Sequence, residues 1–537
     1  MDPQVTADPA VVDGDPAPHP PTVNKHRLAR STAIFAAATG LSRVVGLARE
    51  IIEAAVFGVN GPINAFTVAF QIPNLIRALV ADSALSGAFV PVFSELLETD
   101  RKRAWRVAST IFWLFLIGLG GLVALLILIA PLLILPFGEP GGDVDLAIGL
   151  SRVLFPIVLF LGLSGIVVGI LNAYDQFTIP SLTPVAWNLV IILGLVLGVP
   201  LTDDVDTQLY IYAGSILLAT IVQFLMPLPS LRGLDGRIRP VLDWRDPAVK
   251  RFFVLMLPVT VTLGLINVSA VIGTFFASRF IDPELAPQAI NKAFRLYMLP
   301  QGVFSVAVAT VLFPTLSRLA ARKEIPGFRR TIDDGIRLIG FLLIPASLVS
   351  AALAVPITRL VYEHGEFTSA DTTVVAKCLA AFSLGLVFNG WMLMLTRGFY
   401  ALQHNWAPTA VALGSLILNV LLNIGLYRVG PWGLALATGI ANVAAVCALL
   451  WLMGKRTGIE PPRETIASLL RILAASCIAT AAAFGIWWLV DDVVGRSVVG
   501  QLASVGLALL ACTALYLGVC RVLEVRELNA LRQLRRQ

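Results

Sequence analysis

The sequence predicts an all-α polytopic membrane protein of about fourteen transmembrane helices, built as two parallel six-helix lobes followed by two C-terminal helices. Three observations predict it. Hydrophobic residues make up 57% of the chain and charged residues 14%, whereas a soluble domain carries about 25% charged residues. Apolar runs long enough for the ~20 residues of a bilayer crossing recur to the end of the chain. Lys and Arg cluster in alternate connecting loops.

The elements follow in order. Residues 1–26 are rich in Pro, Asp and Ala with few large apolar side chains, the composition of a disordered tail. Spans near 31–57, 63–93, 105–137, 146–173, 180–200 and 208–230 make an N-terminal lobe, 27–230. Spans near 248–278, 287–317, 330–361, 371–402, 407–428 and 431–453 make a C-terminal lobe, 231–463. Two more, near 465–490 and 498–522, fill 464–523, and 524–537 is a basic tail. The basic stretches 98–106, 231–251, 318–330, 454–464 and the C-terminal tail belong on one side. The loops GVNGPIN, GEPGGDVD, TDDVDT and EHGEFTSAD contain no Lys or Arg. Basic loops stay cytoplasmic, so both termini are expected there. The first apolar run starts only near Ser31, which argues against a cleavable signal peptide.

An internal repeat supports the lobes. GAFVPVFSEL resembles ATVLFPTLSRL, pairing Pro91 with Pro314 at an offset of 223 residues. NAYDQFTIP resembles YALQHNWAP, pairing Pro180 with Pro408 at an offset of 228. An even number of helices per unit gives parallel lobes, and transporters place substrates between such lobes.

Enzyme chemistry finds no support. Cys378, Cys447, Cys477, Cys512 and Cys520 lie scattered in apolar segments without a CxxC pair. His19, His26, His364 and His404 have no metal-ligand spacing, and no GxxxxGK[ST] loop is present. A glycosyltransferase or polymerase acting on anionic lipids would need acidic residues on a sizeable extracytoplasmic loop, and these loops are short. The expectation is a transporter without metal or organic cofactor and without a nucleic-acid partner.

Charges inside the predicted spans carry the functional signal. The first span holds Arg43, Arg49, Glu50 and Glu53, the second Arg77 and the eighth Arg295. Arg43 lies about 12 residues into its helix, roughly 18 Å deep at 1.5 Å per residue. A charge at that depth costs several kcal/mol and belongs in a bundle interior or a wet cavity. Two readings stand. Arg49 could pair with Glu53 at i,i+4 and Arg77 with Asp82, a structural role. Alternatively the arginines form an anion site, since guanidinium groups bind phosphate oxygens bidentately; two acidic residues cannot neutralise four arginines, and Arg43 and Arg295 lack a local carboxylate. Pro73 beside Asn74, and Pro300 and Gly302, are expected to interrupt the second and eighth helices near these charges.

A second polar group is neutral. Asn419 and Asn423 share a helix face, with Asn267, Thr438 and Asn442 on neighbouring spans. Oxygen ligands of this kind suit a sodium ion, while interhelical hydrogen bonding is the usual role of membrane Asn and Thr.

LSRVVGLARE, NAFTVAFQIPNLIRALVADSALSGAFVPVFSEL, LNAYDQFTIPSLTPVAWN, FRLYMLPQGVFSVAVATVLFPTLSRL and YEHGEFTSADT together resemble the MurJ/MviN lipid II flippases along most of 31–523. Their superfamily also holds the MATE drug exporters and O-antigen flippases. The resemblance implies that Arg43, Arg49, Arg77 and Arg295, with Ser42 beside them, line a cationic central cavity. There they would hold the diphosphate of lipid II or a similar polyprenyl-diphosphate lipid, flipped by alternating access. It implies a groove for the polyprenyl tail on the last two helices, and cell-wall synthesis or division proteins as partners. It also implies coupling to Na+, through Asn267, Asn419, Asn423 and Thr438, or to the membrane potential. Asn64 and Phe294 stand where relatives carry Asp, and amides stand at 419 and 423 where some carry a sodium-binding carboxylate, which puts ion coupling in doubt. A drug exporter of the same superfamily would need cavity carboxylates in excess; here the excess is positive.

Overall fold

The computed structural model describes residues 25–79, 84–138, 143–404, 406–457, 463–495 and 497–528. The expected N-terminal tail falls almost wholly outside these residues. Among the described residues eighteen α-helices follow one another. The first six are α1 (Lys25–Phe57), α2 (Ile63–Arg77), α3 (Ala84–Thr99), α4 (Arg101–Ile134), α5 (Asp143–Leu154) and α6 (Pro156–Ala173). Next come α7 (Thr178–Leu193), α8 (Val205–Leu225), α9 (Pro247–Phe276), α10 (Ala286–Ala321), α11 (Ile325–Ala352) and α12 (Ala354–Tyr362). The series ends with α13 (Ser369–Leu384), α14 (Leu386–Ala401), α15 (Trp406–Leu426), α16 (Pro431–Thr457), α17 (Arg463–Val494) and α18 (Val498–Val522).

Among the described residues ten helical stretches are long and apolar enough to cross a membrane, eleven if α13 and α14, bent by 42° against each other, form one span. The expected count of fourteen is therefore not reached by this measure. The other expected spans, at α1, α2–α3 and α9, include residues or side chains outside those described, so this count does not test them. The bend at Gly385 has a steric reason: a Cβ there would come within 2.7 Å of the Gly439 Cα on α16. Prolines do less than the sequence suggests. α2 runs through Pro73 and α10 through both Pro300 and Pro314, so none of them ends its helix.

Helix starts follow local chemistry. Asp100, Asp204, Asp246 and Ser497 each accept a backbone N–H of the first turn of α4, α8, α9 and α18, which satisfies a donor that the helix leaves unpaired. Thr368 and Asp371 form a reciprocal capping box on α13.

Buried apolar side chains gather in two large clusters. One draws on 57–252 and the other on 289–525, with Ala54 and Val59 reaching into the second. Val249 and Phe252, at the start of α9, pack in the first cluster. That helix lies on α2, α3 and α4 at one side and on α15 at the other. α17 and α18 pack on each other and α17 on α11. Between the clusters run α1, which packs along α7, and α10, which packs on α11, α13 and α14.

At one end the two clusters are stitched together. Gly61 N–H donates to the Glu284 carbonyl at 2.8 Å and Glu366 N–H to the Ala55 carbonyl at 2.9 Å. Asn60 bonds Asp371, and Asn64 bonds the carbonyls of Val59, Gly61 and Glu284. Gly365, at φ +60°, allows this approach: a Cβ there would fall 2.1 Å from the Ala55 oxygen.

Candidate functional site

A cavity of about 440 Å3 opens between α1, α2, α6, α7, α8 and α10. Its charged lining is Arg49, Glu50 and Glu53 from α1, Arg77 from α2, and Lys292 and Arg295 from α10. Four cations face two carboxylates, an excess of two positive charges. The amphipathic geometry of α10 explains its share. Gln288, Lys292 and Arg295 stand at i, i+4 and i+7, one face of the helix.

The ionic contacts differ from the sequence-based pairings. Arg49 pairs with its neighbour Glu50, not with Glu53. Glu53 is taken instead by Lys292, whose Nζ lies 2.8 Å from Glu53 Oε2 and 3.1 Å from Glu50 Oε2. The i,i+4 rule describes an isolated helix; here α10 supplies a closer cation. Arg295 does have a carboxylate nearby, Glu50 on the other side of the cavity, at 3.6 Å. That contact is loose and the Arg295 side chain is 47% exposed. Arg77 donates from Nε and Nη2 to Asn74 Oδ1 at 3.2 and 2.9 Å. Asp82, its expected partner, lies outside the described residues.

Arg49 is held from several directions. Its guanidinium carbon sits 5.3 Å from the centre of the Trp187 ring, a cation–π arrangement. Trp187 is fixed by a 3.1 Å bond to the Thr220 hydroxyl. Arg49 Nε is buried without a hydrogen-bond partner among the described residues. Buried donors are almost always satisfied, so this N–H marks a place where an acceptor belongs.

Two expected site residues fall elsewhere. Ser42 and Arg43 do not line this cavity; Arg43 is exposed and points its Nη2 at the Gly302 carbonyl, 3.5 Å away across to α10. Helical geometry is the reason. Arg43 precedes Arg49 by six residues, about 9 Å of rise. Lys292, Gln288 and Trp187 are lining residues that the sequence reading did not single out. Lys292 stands three residues before Arg295, so the shared face was a usable signal.

The amide group is assembled as expected and behaves as a hydrogen-bond cluster. Asn423 Nδ2 donates to Asn419 Oδ1 at 3.2 Å, and Asn419 Nδ2 to the Thr438 hydroxyl at 3.4 Å. Ser269 of α9 reaches Asn419 Oδ1 at 3.4 Å, and Thr438 also donates to the Leu434 carbonyl. Asn267 lies on the same helix as Ser269 and is half-buried. Among the described residues no group of three or more His, Cys, Asp or Glu could hold a metal ion.

A positive cavity lined by helices of both halves is the feature to compare with known proteins. The family described as "Lipid II flippase MurJ" matches residues 53–506. The chain belongs to this family. A lipid II flippase from Burkholderia cenocepacia is 32% identical over 439 residues, covering 79% of this chain and 83% of the relative. A probable lipid II flippase from Vibrio cholerae is 32% identical over 477 residues, covering 86% and 89%. A solved structure of "Lipid II flippase MurJ, inward closed conformation" matches with a TM-score of 0.75 at 27% identity, over 91% of this chain and 99% of that one. An inward-facing MATE multidrug transporter matches at 17% identity with a TM-score of 0.66, over 79% of this chain and 98% of that one, and shares the fold. The family is one of transporters, not enzymes, and the chain is a multi-pass protein of the bacterial inner membrane.

Proposed function

We propose that this protein moves lipid II, the polyprenyl-diphosphate-linked peptidoglycan precursor, from the inner to the outer leaflet by alternating access. The single observation that carries the reading is the cavity's positive excess, with the buried Arg49 Nε–H lacking an acceptor among the described residues. A diphosphate supplies several anionic oxygens, and guanidinium groups bind them in pairs. Arg49, Arg77 and Arg295 are the binding residues in this reading.

In the empty cavity Glu50 sits among Arg49, Lys292 and Arg295 and softens their mutual repulsion. An entering diphosphate competes with Glu50 for the two arginines, relieves the remaining repulsion and permits the halves to close over it. The halves are 27–230 and 231–463, with both termini and the basic loops cytoplasmic. Arg43, with Ser42 beside it, then stands nearer the cytoplasmic mouth than Arg49 and meets the head group first. The segment 464–523 offers a groove for the polyprenyl tail, supported by exposed apolar side chains such as Leu470, Trp488, Leu502 and Leu510. The basic loops are the surface open to cell-wall synthesis or division proteins.

For the driving force we favour the membrane potential over sodium. The cluster of Asn267, Asn419, Asn423 and Thr438 contains no carboxylate, and Asn419, Asn423 and Thr438 hydrogen-bond one another. An anionic head group leaving a negative interior moves with the field, worth about 2.3 kcal/mol per charge per 100 mV.

The test is depletion of the protein in its host with a probe of lipid II on the outer leaflet. We expect lipid II to be lost outside and to accumulate inside, with rescue by the wild type and not by Arg295→Ala. An unchanged distribution on depletion would overturn the reading and direct the cavity to another polyprenyl-diphosphate-linked sugar.

A further inference from the structure

Lys292 is 1% exposed, a cationic side chain almost wholly enclosed by protein. Its ammonium has three donors, and three acceptors stand around it: the Glu53 carboxylate at 2.8 Å, the Glu50 carboxylate at 3.1 Å and the Glu50 carbonyl at 3.3 Å. All three belong to α1, whereas Lys292 belongs to α10. One turn earlier on the same face, Gln288 extends the seam. Its Nε2 donates to Glu53 Oε1 at 2.9 Å, its Oε1 accepts from the Thr67 hydroxyl at 2.6 Å, and its backbone N–H donates to Asn64 Oδ1 at 2.9 Å. The line of contacts then continues into Glu284, Gly61 and Asn60 at the stitched end. On the cavity side the same helix presents Arg295, which meets Glu50 only through the loose 3.6 Å approach. The seam therefore grades from saturated and buried at Lys292 to loose and half-exposed at Arg295.

We infer that Lys292 is a positioning residue: its bonds to Glu53 and Glu50 hold the outer ends of the two halves shut while the cavity faces the cytoplasm. The inference deepens the alternating-access reading and rests on it. Among the described residues Lys292 is the cation paired with Glu53, and so it is what neutralises that carboxylate. Glu50 is different, because it is shared with Arg49 and Arg295, and those arginines can pass to an anion while Glu50 stays on Lys292. The lock thus survives head-group binding and breaks only when α1 and α10 separate. Arrangements in which a buried charge pair fixes one of two alternative packings are a recognised use of such pairs.

The experiment measures the separation of the halves directly, on the full chain in proteoliposomes without lipid-linked substrate. Spin labels at Asp203→Cys and Ser369→Cys, both exposed positions, in a background with the five native cysteines replaced, report the distance across the outer ends. Wild type and Lys292→Arg should give one short distance. Lys292→Met should raise the open-to-closed ratio by on the order of tenfold. Glu53→Gln combined with Lys292→Met decides between a tether and mere charge balance. The double variant buries no unpaired charge at 53, yet a tether predicts that it opens as Lys292→Met does. A wild-type distance in the double variant, or in Lys292→Met, would overturn the inference. Flipping by Arg295→Ala is assayed separately. Full activity there, with Lys292→Met opened, would defeat the functional reading and leave the lock standing.

Discussion

Two polar clusters lie inside this membrane protein, and they solve the cost of burial in opposite ways. The cluster of Asn419, Asn423, Thr438 and Ser269 contains no formal charge, and its members bond to each other across α15, α16 and α9. The cluster of Arg49, Glu50, Glu53, Arg77, Lys292 and Arg295 contains six charges that do not cancel, and it borders open space. Neutral amides that bond to one another hold helices together at little cost, even where one oxygen, Asn423 Oδ1, stays without a partner among the described residues. An uncompensated charge beside a cavity is stable only if water or a counter-ion shares the space. The difference teaches where to look for function: not at polarity in the membrane as such, but at polarity left unbalanced.

The largest effect that tests the contrast is expected from Arg49. Replacing it with alanine removes the guanidinium between Trp187 and Glu50 and the buried Nε–H. Flipping of lipid II in proteoliposomes should fall on the order of a hundredfold, the loss of one strong charge-assisted contact. Activity within a few-fold of wild type would place the anion site elsewhere. A smaller effect is expected from Asn423→Leu. Asn423 is 1% exposed and its Oδ1 has no partner among the described residues. Leucine gives up one amide bond but also removes an unsatisfied carbonyl, so thermal unfolding should shift by no more than about 1 kcal/mol in equivalent stability. The flipping rate should hold, and should be the same in sodium and potassium buffers. A collapse of transport in the leucine variant, or a strong sodium requirement in the wild type, would make the amide cluster an ion site and erase the contrast.

The sequence made much of the fold and part of the site legible. Apolar length and loop charge are local properties, and the helices duly follow the apolar runs from α4 onward. Breaks within them were harder to see, because they depend on neighbours: Gly385 is needed only because Gly439 lies against it. The arginines were legible since a charge in an apolar run stands out wherever it sits. Their partners were not. Which carboxylate a cation meets is set by the packing of α1 against α10, 239 residues apart for Lys292 and Glu53, and no periodicity reports that. The face that Lys292 shares with Arg295 was readable, but its pairing was not, since that is defined by residues of another helix. Arg43 shows the converse: membership of the same helix and motif as Arg49 does not put both among the lining residues of this cavity.

A further ion pair, outside the spans, calibrates what the same chemistry is worth away from the cavity. Asp246, in the loop before α9, accepts from Arg103 Nε at 3.1 Å and Nη2 at 2.9 Å, and also caps α9 through the Ala248 N–H at 2.8 Å. The bonds from Arg103 hold its carboxyl below the ordinary range, with the Ala248 N–H acting in the same sense. A carboxyl depressed in the folded state contributes its stability above the unfolded value of about 4. That contribution fades as pH falls through the folded value. Asp246→Asn should therefore cost about 1 kcal/mol at neutral pH, the range of a lost cap and a half-exposed ion pair. The gap between wild type and variant should stay constant from pH 7 down to about 5 and narrow below about 4. Flipping should be unaffected. If instead this balanced pair mattered to transport as much as Arg49 does, charge imbalance beside open space would not be what distinguishes the cavity, and the comparison between the two kinds of ion pair would fail.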